Sequence, residues 1–378
     1  MPIAIDADFP GGNIAVDGVD GDEIRVHQEL RDTARDWFYW CFRVRGAQGR
    51  TLRFEFTSSR ALGVRGPAVS RDGGKCWIWL GADAAERNTF FTYRFPSDAE
   101  DVRFSFAMPY QWEHWRRFAD ALDGCDLFAR HELCTTRKGR KAEYALLGGG
   151  RGSEPRHRMA VTCRHHCCEM MVNYTLEGLI RWVIESDEAE ARRMREDAEI
   201  FILPFADLDG VEDGDQGKGR QPRDHGRDYL GDSIYAETAV VRERLPAWGG
   251  ERLHLGLDLH CPWIAGEHNE ATYLVGSSNA RNARQQRVFS GILESVANGP
   301  LPFSAEDYLP FGESWNTGQN TKSGRGFSRW VAELPTVRLG TAIEIPYANA
   351  RGAEVNQDSA RAFGQDVGRA LSVYLFGR

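Results

Sequence analysis

The chain has no apolar stretch approaching the roughly 20 residues that a bilayer-spanning helix needs, so a membrane span is not expected. A secretory signal is not expected from its first residues: Met1-Pro2-Ile3-Ala4-Ile5-Asp6 lacks the charged and apolar regions of one. It has no excess of one charge sign. Its 47 Lys and Arg against 55 Asp and Glu give a net charge of -8, spread along the chain, which argues against nucleic acid or an anionic membrane as the main partner. It has no C-x-x-C pair. Cys41, Cys76, Cys125, Cys134, Cys163, Cys167, Cys168 and Cys261 are scattered, which fits free thiols in a reducing cytoplasm better than a disulfide framework. There is no internal repeat.

What is present is an ordinary globular composition over 378 residues, 42% hydrophobic and 27% charged, enough for two domains. Residues 1–110 read as short strands. Trp37-Phe38-Tyr39-Trp40-Cys41-Phe42-Arg43-Val44 is aromatic and β-branched, and Thr51 to Phe56 and Val102 to Phe106 alternate with period two. Strands at this spacing predict an antiparallel β-sandwich. From 111 the pattern changes. Gln111 to Leu122 has helical spacing, and strands then alternate with helices: Met159–Val161, Met170–Glu185, Ile200–Phe205, Leu253–Leu259 and Ala342–Ile345. That order predicts, over residues 111–378, an α/β domain with a mixed sheet flanked by helices, its active residues beyond the carboxyl ends of the strands. Asp207 to Arg227 reads as one long irregular loop.

The chemistry concentrates at Thr162-Cys163-Arg164-His165-His166-Cys167-Cys168-Glu169. On a first helical turn, His166 and Glu169 would share one side, giving two of the three protein ligands of a catalytic zinc site. His165 stands four residues from Glu169 and offers an alternative pair. His260 ends an apolar strand. Taken alone it reads as a hydrogen-bonded core histidine, but with His166 and Glu169 it completes a His2Glu set. Glu344, inside the apolar run Thr341-Ala342-Ile343-Glu344-Ile345, is either a solvent-facing strand residue or a buried carboxylate with a task, such as a general base. Lys218, Arg220, Arg223 and Arg227 could grip a substrate carboxylate, which a guanidinium does in a bidentate way.

These residues fall in an order that resembles the zinc metallocarboxypeptidases, specifically the cytosolic carboxypeptidase-like branch. The resemblance lies in His166-Cys167-Cys168-Glu169, Asp207-Leu208-Asp209-Gly210-Val211, Asp224-His225-Gly226-Arg227 with Tyr229, Asp258-Leu259-His260, a late-strand Glu344, and Asp36 to Val44 in a preceding β-sandwich. It implies that His166 (rather than His165), Glu169 and His260 hold one Zn2+, that Glu344 is general base and acid, and that Arg227 binds the substrate's terminal carboxylate. Two positions depart from the pattern. Gly226 stands where the family has Asn, and Gly217 where it has an upstream Arg, for which Lys218 or Arg220 would substitute. Tyr347 is the candidate for the tyrosine some members use at the scissile bond.

The expected function is a zinc-dependent carboxypeptidase acting on the C-terminus of a peptide or protein, with cationic loop residues favouring an acidic terminal residue. The rivals are a zinc amidohydrolase or deacylase for a small acylated amino acid, and a peptide-binding protein with a vestigial site. A homo-oligomer is compatible with the sequence.

Overall fold

The structure is a computed structural model that describes residues 2–86, 88–149, 154–320, 322 and 324–377. Gly150, the end of the glycine loop expected after Tyr144–Leu147, lies outside the described residues.

Ten strands come first: β1 (Ala4–Asp6), β2 (Ala15–Asp20), β3 (Glu23–His27), β4 (Cys41–Arg45), β5 (Thr51–Phe56), β6 (Ala68–Ser70), β7 (Ile78–Trp79), β8 (Ala85–Glu86), β9 (Phe90–Arg94) and β10 (Val102–Ser105). They form two five-stranded sheets, β1-β4-β10-β6-β7 and β2-β3-β5-β9-β8. Period-two alternation sends one set of side chains from each sheet inward. Phe42 of β4 meets Phe54 of β5 at 5.5 Å, and Phe91 of β9 meets Phe104 of β10 at 5.2 Å between ring centroids. The pairing is antiparallel with one exception: β3 and β5 run parallel. The reason is that β4 lies between them in sequence and crosses to the other sheet, so the chain returns in the same direction.

Helix α1 (Trp112–Asp120) leads into a seven-stranded mixed sheet. Its strands are β11 (Phe128–Thr135), β12 (Lys141–Gly148), β13 (His157–Cys163), β14 (Ala198–Leu203), β15 (Leu253–His260), β16 (Tyr273–Val275) and β17 (Leu339–Glu344), in the order β11-β12-β14-β13-β15-β17-β16. The central four, β14, β13, β15 and β17, are parallel. Their carboxyl ends therefore lie together, and the connections leaving β13, β14, β15 and β17 meet at one rim.

Helix α2 (Met171–Glu185) is buried on nearly every side because it lies between the sheet and α8 (Gln357–Phe376). The start of α8 is fixed by a capping box, Asn356 with Ser359. Helices α3 (Ala189–Asp197), α4 (Leu208–Asp213), α5 (Ala236–Gly249), α6 (Ala280–Val296) and α7 (Phe327–Val331) complete the set, α7 packing against β15 and β17. Two expectations change in detail. The stretch from Asp207 is not irregular throughout: Asp207 accepts a hydrogen bond from Gly210 N and caps α4. His166 and Glu169 do not lie on a helical turn, since α2 begins at Met171. No helix among the described residues is long and apolar enough to cross a membrane.

Candidate metal centre and its cavity

Two strand ends and one loop build the site. In β15 and β17, His260 is the register partner of Glu344 and Asp258 that of Ala342. Side chains of directly paired residues project from the same face, so His260 and Glu344 open into one cavity of about 140 Å³. The third contributor is the turn after β13. Arg164 sits there at φ 60°, its buried guanidinium tied to the carbonyls of Cys167 (2.9 Å) and Tyr110 (2.8 Å) and to Asn173 Oδ1 (2.9 Å). That anchoring turns His166 and Glu169 toward His260.

The result is a convergent donor set. The ligand atoms of His166, Glu169 and His260 all lie within 4.8 Å of one another. His166 Nδ1 is 2.9 Å from Glu169 Oε1, and His260 Nδ1 is 2.7 Å from Glu169 Oε2. On its far nitrogen His260 is hydrogen-bonded to a carboxylate, while His166 faces one just beyond hydrogen-bond reach. His260 Nε2 donates to Asp258 Oδ2 at 2.8 Å, and His166 Nε2 faces Asp224 Oδ1 at 3.7 Å. Such carboxylate-backed imidazoles are the usual arrangement around a bound metal, because the carboxylate fixes the ring and leaves the other nitrogen for the ion. Sequence reasoning gave Asp224 and Asp258 no role. Their places inside the two histidine-bearing motifs were the available signal.

Charge follows from this geometry. Burial disfavours a charged imidazole, but Asp258 and Glu169 outweigh it at His260, whose pKa stands well above the ordinary value. At His166 burial is likewise outweighed by Glu169 and Asp224. Burial also disfavours ionised Glu169, yet Lys218, His166 and His260 hold its pKa well below the ordinary value. Glu344 is the opposite case. Burial raises its pKa, with His260 acting against the shift and Glu169 adding to it, and its buried Oε2 has no hydrogen-bond partner among the described residues.

The other candidates divide. Arg227 lines the cavity, its guanidinium bonded to its neighbour's carbonyl, Gly226 O, at 2.8 Å. It makes no ion pair among the described residues. Lys218 reaches the site but is turned to the ligand set: Nζ lies 2.8 Å from Glu169 Oε1 and donates to Cys261 O at 2.8 Å. Arg220 goes elsewhere. It pairs with Asp207 Oδ2 at 2.6 Å and Asp215 Oδ2 at 2.8 Å and does not line the cavity, because those buried carboxylates need a cation. Arg223 pairs with Asp228. Tyr347 is buried against Phe38 and Phe106, its hydroxyl beside Cys168 Sγ, and is also outside the cavity lining. Gly226 has a steric reason: a Cβ there would lie 2.8 Å from His166 Nε2. One cavity cation was not anticipated, Arg329 of α7.

This architecture is a known one. Over nearly its whole length the chain has the fold of a metallo-carboxypeptidase from Burkholderia cenocepacia (TM-score 0.81, 19% identity, 99% of both chains). It is similarly close to a metallo-carboxypeptidase from Pseudomonas aeruginosa solved in complex with (2-guanidinoethylmercapto)succinic acid (TM-score 0.78, 22% identity, 98% of this chain and 99% of that one). Residues 120–244 match the zinc carboxypeptidase family, a segment that contains His166, Glu169 and Arg227 and stops before His260. The resemblance to the zinc metallocarboxypeptidases carried by the motifs thus stands. A curated relative, an uncharacterized protein of Zymomonas mobilis subsp. mobilis, is 26% identical over 217 residues, 56% of this chain. The chain spans about half, 55%, of that relative's length.

Proposed function

We propose that the protein is a zinc-dependent metallocarboxypeptidase that hydrolyses the C-terminal peptide bond of peptides or proteins. Residues 1–110 would form its β-sandwich domain and 111–378 its catalytic domain. The observation that carries the reading is three convergent donors, two of which, His166 and His260, line one cavity together with a carboxylate whose buried oxygen has no hydrogen-bond partner and a guanidinium that makes no ion pair among the described residues.

The residues fit a zinc ion: two imidazole Nδ1 atoms and one carboxylate are the donor chemistry of hydrolytic zinc sites. Bound there, zinc supplies a Lewis acid for the scissile carbonyl and makes water a better nucleophile at neutral pH. His166, Glu169 and His260 would hold it, with Asp258 and Asp224 orienting the imidazoles. Glu344 Oε2 would take the proton of the attacking water and deliver it to the leaving amine, and its raised pKa suits both halves of that transfer. Arg227 would pair with the free carboxylate that marks a chain end. With Arg329 as a second cation in the lining, an acidic terminal side chain is the favoured fit. The cytoplasm suits eight cysteines that are all unpaired.

The test is peptide hydrolysis with and without a zinc chelator, and with Glu344→Gln. Loss of activity on chelation, together with a fall in kcat of about 10²–10⁴-fold in a variant that still holds zinc, is expected. Full activity in both cases contradicts the reading.

A further inference from the structure

The segment that brings Lys218 to Glu169 is shaped from outside the catalytic region. On its inner side Gly217 (φ 75°) lies so close to the metal-site turn that a Cβ would meet Cys167 N at 2.5 Å. On its outer side the segment is tied to residues 29–39. Asp32 Oδ1 accepts from Gln216 N at 2.9 Å, and Asp32 Oδ2 accepts from Gly217 N at 2.8 Å. The fully buried Gln216 side chain accepts from Tyr39 N (2.8 Å) and donates to Tyr39 O (2.9 Å) and Glu29 O (3.1 Å). Next along the chain, the Lys218 ammonium lies 5.5 Å above the Trp37 ring on its way to Glu169 Oε1.

We infer that the N-terminal region is a working part of the metal site, with Asp32 as a positioning residue: it fixes the Gln216–Gly217 backbone so that Lys218 holds Glu169 Oε1 and leaves Oε2 facing His260. Without that hold, Oε1 keeps only the His166 contact, and the carboxylate is free to rotate away from the arrangement three ligands require. Partners one step out from a ligand commonly change metal affinity by about 10–100-fold. The inference rests on the metal reading above.

The test compares wild type, Asp32→Asn, Lys218→Met and the double variant. Zinc affinity is measured by chelator competition, and backbone amide hydrogen exchange is measured on the metal-free full-length protein. Asp32→Asn keeps the shape but turns an N–H donor toward a backbone N–H. It is expected to weaken zinc binding about tenfold and to speed exchange at 214–221. Lys218→Met is expected to weaken binding similarly, and adding Asp32→Asn to it should change affinity by less than about twofold, because both act along one path. Unchanged zinc affinity in Asp32→Asn, or fully additive losses, overturns the inference. Should Asp32→Asn fail to fold, Gln216→Ala removes the second tie and carries the same expectation. If wild type itself binds no zinc, the metal reading falls and exchange decides this one: faster exchange at 214–221 in Asp32→Asn supports the clamp, and unchanged exchange ends it.

Discussion

Among the described residues, two clusters of metal-ligand type share His260 and lie on opposite sides of its ring. On the Nδ1 side are His166 and Glu169. On the Nε2 side are Asp258 and His165. The second cluster is closed on itself. Asp258 Oδ1 accepts from His165 Nδ1 (2.8 Å) and Thr162 Oγ1 (2.7 Å), Oδ2 accepts from His260 Nε2, and His165 Nε2 meets the Tyr229 hydroxyl at 2.8 Å. The first cluster opens on the cavity through both of its histidines, His166 and His260, whereas the second reaches it through Asp258 and the shared His260, with His165 outside the lining. Residue types and spacings are nearly the same in both, so proximity does not separate them. What separates them is the histidine each adds to His260: His165 is fully buried with both ring nitrogens hydrogen-bonded, whereas His166 lines the cavity. A buried, fully bonded histidine orients, while one that lines a cavity can bind.

The largest expected effect falls on the open cluster. Typical zinc-binding free energies of ~10–16 kcal/mol spread over three ligands make each worth about 4 kcal/mol. His166→Ala or Glu169→Gln should therefore lower zinc affinity about a thousandfold in chelator competition. Next come changes in the closed cluster: His165→Ala or Asp258→Asn should cost about 10–100-fold. Equal losses from the two clusters would erase the distinction between ligand and support.

The same contrast applies to two arginines of one loop. Arg227→Met should raise KM by about 10–100-fold, since a charge-assisted bond to a carboxylate is worth roughly 1.5–3 kcal/mol. Arg220→Met should leave KM near wild type but destabilise the fold by about 3 kcal/mol in urea unfolding, because buried Asp207 loses its guanidinium and Asp215 is left with Arg31 alone. The smallest effect is on acid stability. Burial raises the Asp207 pKa, but His225, Arg220 and the Gly210 N–H outweigh it and bring it to about 2 from 3.8. A carboxyl depressed on folding stabilises above its unfolded pKa, so Asp207 should contribute about 2 kcal/mol near pH 5 that is lost as pH falls from about 4 toward 2. Urea unfolding of the metal-free protein across that range should show the loss in wild type and a reduced one in Arg220→Met.

The legible parts of the sequence were those where one local pattern decides the outcome. Leu253–His260 and Leu339–Glu344 are apolar runs because parallel central strands are covered on both faces, and their ends marked His260 and Glu344. β11 escaped notice: in Phe128–Thr135 only Phe128 and Leu133 are buried, as befits an edge strand. α5 was missed because its apolar residues form no stripe and Pro246 lies within it. The fates of the cations were not legible either. Arg220 and Arg227 look alike in sequence, and only the fold sets one among buried aspartates and the other in the cavity. The turn of Lys218 toward Glu169 depends on a left-handed glycine and on Asp32, 186 residues away in sequence numbering (218 − 32).

The central claim is that the metal belongs on the Nδ1 side of His260. Anomalous diffraction from crystals of the zinc-loaded protein, collected on both sides of the zinc edge, tests it most directly. The account predicts one zinc peak bounded by His166 Nδ1, His260 Nδ1 and the Glu169 carboxylate, with His165 still bonded to Asp258. A peak among His165, Asp258 and His260 Nε2, or no zinc peak at either cluster, would contradict it.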